Sequence, residues 1–294
     1  MSAAEAEPRN KRALERQARK EQAGLLSLSL PAFILVGSLV LVPIAWLFWL
    51  SIYGNDGFTL QNYTRMLHPS YRLTLITTFE LAFLVTGICI LLGYPLAYIG
   101  AQLGPRMASL LMLCVLFPFW TSLLVRTYAW LVLLQRRGVI NTWLMEWGVI
   151  DAPLKLVHNF TGTAIGMVHI MLPFLVLPLY ANMKAIDTGL MKAASNLGAS
   201  PTRAFWQIYV PLTYSGLGAG VILVFVLSLG FYVTPALLGG GRVMMWAMQI
   251  ERSMAVYADW GAASALGVVL LVMTLSILWA FAKLTGASAA TGAK

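Results

Sequence analysis

Apolar residues along the chain gather into six long runs with short polar intervals between them. The runs cover roughly 26–52, 72–100, 107–134, 160–183, 213–237 and 259–283. Each is long enough to cross a bilayer as a helix of about 20 residues. The pattern predicts an all-α integral membrane protein with six transmembrane helices. Pro43, Pro118, Pro173 and Pro178 fall inside runs and are tolerable there, because neighbouring helices re-satisfy the freed backbone groups. Gly216, Gly218 and Gly220 in the fifth run permit close helix contact. Residues 53–70 read as an outer loop rich in turn formers, and 238–258 as an outer segment opening on Gly239-Gly240-Gly241. Within 135–159, Val139, Ile140, Trp143, Leu144 and Trp147 recur at helical spacing and predict a short interfacial or re-entrant helix.

The interval 187–212, DTGLMKAASNLGASPTRAFWQIYVPL, is the most strongly punctuated. Asp187 can cap a helix N-terminus by accepting backbone N–H bonds. A helix of about ten residues should follow, roughly 15 Å long. Gly198 ends it, since glycine takes the left-handed position after a helix without strain. Ser200 then caps a second helix with Pro201 at its first position. Phe205, Ile208 and Leu212 give that helix an apolar face, and Pro211 marks the passage into span five. Ala193, Ala194 and Gly198 leave one side of the first helix and its corner nearly bare, so another protein could approach the backbone closely. A tight hairpin packed on its own bundle would carry the same signature.

Composition narrows the class. The chain of 294 residues is 59% hydrophobic and 11% charged, where a soluble domain carries roughly 25% charged residues. Cys89 and Cys114 lie in apolar runs and read as small buried hydrophobes, with no disulfide framework or metal-ligand spacing. His68, alone and followed by Pro69, reads as a loop histidine. The formal charge of +9 is unevenly placed, and residues 1–24 hold Arg9, Lys11, Arg12, Arg16, Arg19 and Lys20 against Glu5, Glu7, Glu15 and Glu21. A juxtamembrane tail held on the cytoplasmic side explains this charge, and no nucleic-acid partner is needed. The first apolar run is too long for a signal peptide and reads as an uncleaved anchor. With the N-terminus inside, twelve Lys and Arg residues lie on the cytoplasmic side (the tail's six with Arg106, Lys184, Lys192, Arg203, Lys283 and Lys294). Seven lie outside: Arg65, Arg72, Arg136, Arg137, Lys155, Arg242 and Arg252. The expected organisation is a basic cytoplasmic tail over 1–24, a six-span domain over 25–283 carrying a cytoplasmic loop at 187–212, and a cytoplasmic tail over 284–294.

No phosphate-binding Gly-x4-Gly-Lys-Ser/Thr loop, catalytic triad, carboxylate pair or His/Cys cluster is visible. The chain is therefore expected to be no enzyme, to hold no cofactor or metal of its own, and to need a partner if it pumps. Intramembrane charge is costly and marks function by default, which singles out Glu80 and Arg126. The two can pair with each other across spans two and three, or line a polar pathway. Asp259, between the outer segment and span six, reads first as a helix cap and second as a ligand group. Trp120, Tyr128, Trp130, Tyr232 and Trp260 could surround a cation, or form an interfacial aromatic belt.

The 187–212 interval also resembles the cytoplasmic "EAA" loop of permease subunits of ABC importers: Glu-Ala-Ala, three residues, Gly, nine residues, Ile, one residue, Leu-Pro. Ala193, Ala194, Gly198, Ile208 and Pro211 match it in identity and spacing, Val210 stands for the Leu, and Lys192 replaces the Glu. Further stretches are similar to the spermidine/putrescine branch: Gly93–Tyr98, Pro118–Ser122, Arg126–Tyr128, Leu172–Phe174, Pro178–Tyr180, Leu197–Ser200 and Tyr232–Gly240. The likeness covers about 25–283 and is nearest the first of that branch's two permeases. It implies the type I importer permease (MetI-like) fold, with the loop residues Lys192, Ala193, Ala194, Gly198, Ala199, Ser200, Ile208 and Pro211 docking on a separate ATPase subunit that binds ATP and Mg. It further implies a second permease subunit, a periplasmic solute-binding protein and a place in the bacterial inner membrane. Polyamine is the expected cargo, with Glu80, Trp120, Arg126, Tyr128, Tyr232, Asp259 and Trp260 as pathway candidates. Another small organic solute, an anionic one met by Arg126, or a stand-alone secondary carrier are the alternatives.

Overall fold

The computed structural model describes residues 30–54, 57–187 and 189–291, with side chains to 284. The basic tail over 1–24, Thr188 and Lys294 lie outside the described residues. Helix α1 (Leu30–Ile52) is followed by a hairpin of β1 (Tyr53–Gly54) and β2 (Gly57–Phe58), paired antiparallel with Tyr53 opposite Phe58. A short helix α2 (Gln61–Arg65) leads to α3 (Pro69–Gln102). His68 caps α3, its imidazole Nδ1 accepting from the Ser70 N–H. The loop expected over 53–70 is thus a hairpin and a helix, and the second span starts earlier and ends later than hydropathy suggests.

Span three is not a straight helix. Helix α4 (Pro105–Leu116) runs through a tight turn at Phe117–Trp120 and meets α5 (Leu123–Leu133) at 98°. Pro118 interrupts the backbone bonding there, and Thr121 turns extended. With this bent pair as one span, the chain has six candidate spans among the described residues. Helix α6 (Val139–Glu146) forms where the helical spacing of apolar residues predicted a short helix. Its buried Asn141 accepts from the Leu154 N–H and donates to the Gln135 and Leu154 carbonyls, which closes the segment.

Helix α7 (Phe160–Ala185) is the centre of the bundle, packed between α3 and α10 (Val210–Leu229). Leu81, Val85, Met167, Met171, Leu175, Leu179 and Val224 form the core. Small residues set the approach, as packing in lipid requires. A Cβ on Gly220 would lie 3.0 Å from the Leu175 carbonyl oxygen, and one on Gly216 would meet Asn182. Gly218 faces Phe281 instead.

Span five ends at Gly230, short of the expected 237, and restarts as α11 (Val233–Leu238). The outer segment holds an unexpected helix, α12 (Trp246–Ala255). The Trp246 N–H donates to Thr78 Oγ1 on α3 and its indole to the Leu266 carbonyl on the last helix, α13 (Trp260–Thr291). Cys89 is buried but Cys114 is exposed on α4, so only the first behaves as a buried hydrophobe. Helix α1 and long faces of α3 and α13 expose apolar side chains, as surfaces turned to lipid or to other subunits do.

Candidate functional site

The corner over 187–212 forms as its punctuation dictates. The Asp187 carboxylate accepts from the Gly189 N–H at 2.8 Å and opens α8 (Gly189–Asn196), two residues shorter than expected. Gly198 sits at φ +84°, and the Ala199 N–H closes back on the Ala194 carbonyl at 3.0 Å. Ser200 Oγ accepts from the Arg203 N–H and starts α9 (Pro201–Ala204), with Pro201 at its first position.

Helix α9 does not stop at Pro211. A π-turn at Phe205–Tyr209, closed by the Val210 N–H on the Phe205 carbonyl, joins it to α10. Pro211 has no N–H for the preceding turn, and the wider turn absorbs the lost bond. The extra residue also rotates the buried face. Ala204, Tyr209, Thr213 and Gly216 point inward rather than the expected Phe205, Ile208 and Leu212, of which Leu212 is 42% exposed. Corner and span five therefore make one helical rod, Pro201–Leu229.

The outward surface of the corner differs from the small-residue face read in the sequence. Lys192, Ala193, Gly198 and Ser200 are exposed, Ala199 and Ile208 are half-buried, and Pro211 is exposed. Ala194 is buried in its own chain. Leu197, 89% exposed at the tip, is the apolar group that the sequence reading missed. A long apolar residue just before the corner glycine was its visible signal. A side chain at Gly198 would meet nothing of this chain within 4 Å, so the corner is open to a visitor.

The pathway candidates fall in three places. Glu80 stands exposed on α3, along a stripe with Ile76, Leu84 and Leu91. It does not pair with Arg126: among the described residues the ion pair is Arg65–Asp259, at 2.7 Å. The bend of span three carries Arg126 away on α5, an arrangement that run lengths cannot reveal. Asp259 caps α13, accepting from the Ala262 N–H at 2.9 Å, while its other oxygen holds Arg65. Trp260 follows it, 57% exposed.

The third place is the bend itself. Arg126 donates to the Thr121 carbonyl at 3.4 Å and lies over the Phe119 ring at 5.8 Å, but its Nε and Nη1 are buried without a partner. Thr127 beside it meets Thr234 of α11, hydroxyl to hydroxyl, at 3.2 Å. Trp120, Tyr128 and Tyr232 border this junction and are exposed, Trp120 by 82%. Trp130 of α5 donates from its indole to His169 Nδ1 on α7 at 3.1 Å. His169 was not singled out in the sequence, although a lone histidine within an apolar run was signal enough. Trp120, Arg126, Tyr128 and Tyr232 are thus brought to one junction, and Glu80, Asp259 and Trp260 are not.

Residues 89–285 match the family model described as "Binding-protein-dependent transport system inner membrane component". The spermidine/putrescine transport system permease protein PotB of Haemophilus influenzae is 31% identical over 256 residues, spanning 85% of this chain and 87% of that protein. The PotB protein of Escherichia coli is 36% identical over 222 residues, 75% of this chain and 81% of its own. In solved structures, a chain of a bacterial alginate ABC transporter in complex with an alginate pentasaccharide-bound periplasmic protein superposes with a TM-score of 0.70. It covers 92% of this chain and 96% of its own at 16% identity, a likeness of fold. By that match and these relatives, the chain belongs to the binding-protein-dependent transport system inner membrane components.

Proposed function

We propose that the chain is the permease subunit of an ATP-driven importer of polyamines, and that its 187–212 corner is seated in a separate ATPase subunit. The observation that carries the coupling is mechanical. The helix that begins at Pro201, just after the open corner at Gly198, runs on through span five as one rod of 29 residues, about 43 Å long at the helical rise. A displacement of the corner travels into the bundle beside α7 without a hinge between them. The loop side is cytoplasmic in this reading, with both termini. A second permease completes the path, a periplasmic binding protein delivers the solute, and ATP and Mg belong to the ATPase.

Polyamine as cargo is supported by the relatives, which are permease proteins of spermidine/putrescine transport systems. Arg126, Trp120, Tyr128 and Tyr232 at the bend are the proposed wall of the path. The aromatic faces suit ammonium groups. The unpaired Arg126 guanidinium favours a second reading, a cargo or partner group bearing a carboxylate. The test is reconstitution with the cognate ATPase, second permease and binding protein, measuring ATP-dependent uptake of labelled spermidine against an organic anion. Spermidine uptake that needs ATP supports the first reading. Uptake driven by an ion gradient without the ATPase would overturn it.

A further inference from the structure

We propose that the exposed stripe of α3 seats a transmembrane helix of the second permease, and that this helix carries a basic side chain opposite Glu80. That a second permease exists rests on the function proposed above. The face it takes and the charge it brings follow from α3 itself.

Glu80 stands about 16 Å along from the first residue of the 34-residue α3. Exposed apolar residues flank it on both sides: Leu73 and Ile76 toward the start of the helix, Leu84 and Leu91 toward its end. The apolar surface thus continues two turns beyond the carboxylate before Arg72 begins the polar end. The opposite side of α3 is fixed, with Thr78, Leu81, Val85 and Cys89 buried where the helix packs on α7 and α10. Glu80 therefore cannot turn into its own bundle.

Among the described residues its carboxylate has no hydrogen bond and no ion pair. Arg72, the one cation of α3, is eight residues away, about 12 Å along the axis. Helix α1 has no ionisable residue over Leu30–Ile52 and so cannot supply the missing charge. A carboxylate inside a span is costly against lipid, and such groups face protein or a polar cavity and pair there. A water-filled wall would need further polar groups, and the neighbours of Glu80 along the stripe are all apolar.

The shape of the stripe selects a helix as its cover. Leu73, Ile76, Glu80, Leu84, Gly87 and Leu91 follow one another at spacings of three or four residues, the spacing of a seam between two helices. Gly87 sits in the middle of it, with open space where a side chain would stand. A small residue there lets a second helix approach closely, and the approach excludes lipid from the Glu80 carboxylate one and a half turns away. A cation opposite Glu80 then fixes the register of the two helices, as a polar pair in an apolar seam does.

Co-purification on a tag carried by the second permease tests this without any uptake assay. Glu80→Leu leaves the partner's cation uncovered and should lower the share of this chain retained about tenfold, as loss of one hydrogen bond between charged groups implies. Glu80→Gln keeps an acceptor and should lose less. Glu80→Lys should lose most, and an acid in place of one intramembrane Lys or Arg of the second permease should restore it. Purified alone, the Glu80→Leu chain should melt no lower than wild type, since Glu80 has no partner of its own to lose. A clear loss of stability would give it one and overturn the proposal. Wild-type retention of both the Leu and Lys variants would overturn it too, and so would a second permease with no basic residue in its spans. A wild-type chain that retains no second permease would overturn the function proposed above along with this interface, whereas wild-type retention by the variants would overturn the interface alone.

Discussion

The carboxylate of Asp259 does two things at once: one oxygen caps α13 and the other holds Arg65 at 2.7 Å. The ion pair fastens α2 to the start of the last span across 194 residues of sequence separation. Both side chains keep access to water, 54% and 35%, so the pair itself contributes about 0–1 kcal/mol. Asp259→Asn keeps the cap and should cost less than about 1 kcal/mol, while Asp259→Ala loses cap and pair and should cost about 1–2 kcal/mol. Thermal unfolding in detergent separates the two. Equal losses would show that the cap contributes nothing.

The hydroxyls of Thr127 and Thr234 pin the bent span to α11 in a buried setting. Thr234→Val leaves Thr127 with its Leu123 carbonyl and should cost about 1 kcal/mol. A double-mutant cycle with Thr127→Val should show a coupling of about 0.5–1 kcal/mol. Additive losses would separate the two hydroxyls energetically.

Arg126 presents the opposite balance. Two of its donors are buried and unpaired, so the isolated chain gains by losing them. Arg126→Leu should raise the unfolding midpoint of the purified chain and lower ATP-dependent uptake at least tenfold in the full transporter. A variant that is less stable and equally active would place Arg126 in the structure and outside the path.

Gly198→Trp places a large ring where this chain has only open space. Gly198→Asn tolerates the same positive φ and serves as the backbone control. The tryptophan variant should insert normally, yet uptake per ATP hydrolysed should fall at least tenfold, while the asparagine variant stays within about twofold. Wild-type uptake by the tryptophan variant would remove the corner from the coupling interface.

Gly220→Ala sets a methyl 3.0 Å from the Leu175 carbonyl oxygen, a backbone atom that cannot move aside cheaply. It should cost about 1–3 kcal/mol. Gly218→Ala meets the tip of the Phe281 ring, which can tilt, and should cost less. The order of the two melting points checks the packing of α7 on α10.

Local chemistry was readable in advance where the backbone itself needs a particular residue. Asp187, Gly198, Ser200 and Pro201 each do in three dimensions what their types demand. The 98° bend at Thr121 was not readable, because an apolar run reports that a segment avoids water and says nothing of its direction. Pro211 was read as a boundary, since a proline inside a helix is usually a stop. The π-turn behind it removed that obligation and turned Leu212 outward. Helix α12 escaped notice because it is short and no side chain caps its start. The bond of Trp130 on α5 to His169 on α7 joins residues 39 apart, so no spacing along the chain encodes it.

The surplus residue held at Phe205–Tyr209 fixes the compass bearing of the corner. Deleting one residue there would restore ordinary winding and swing everything before it by about 100° around the rod. The same short sequence of caps would survive unchanged and address a different neighbour. In the proposed assembly, which subunit the corner can engage is thus decided one turn away from the surface that would touch it.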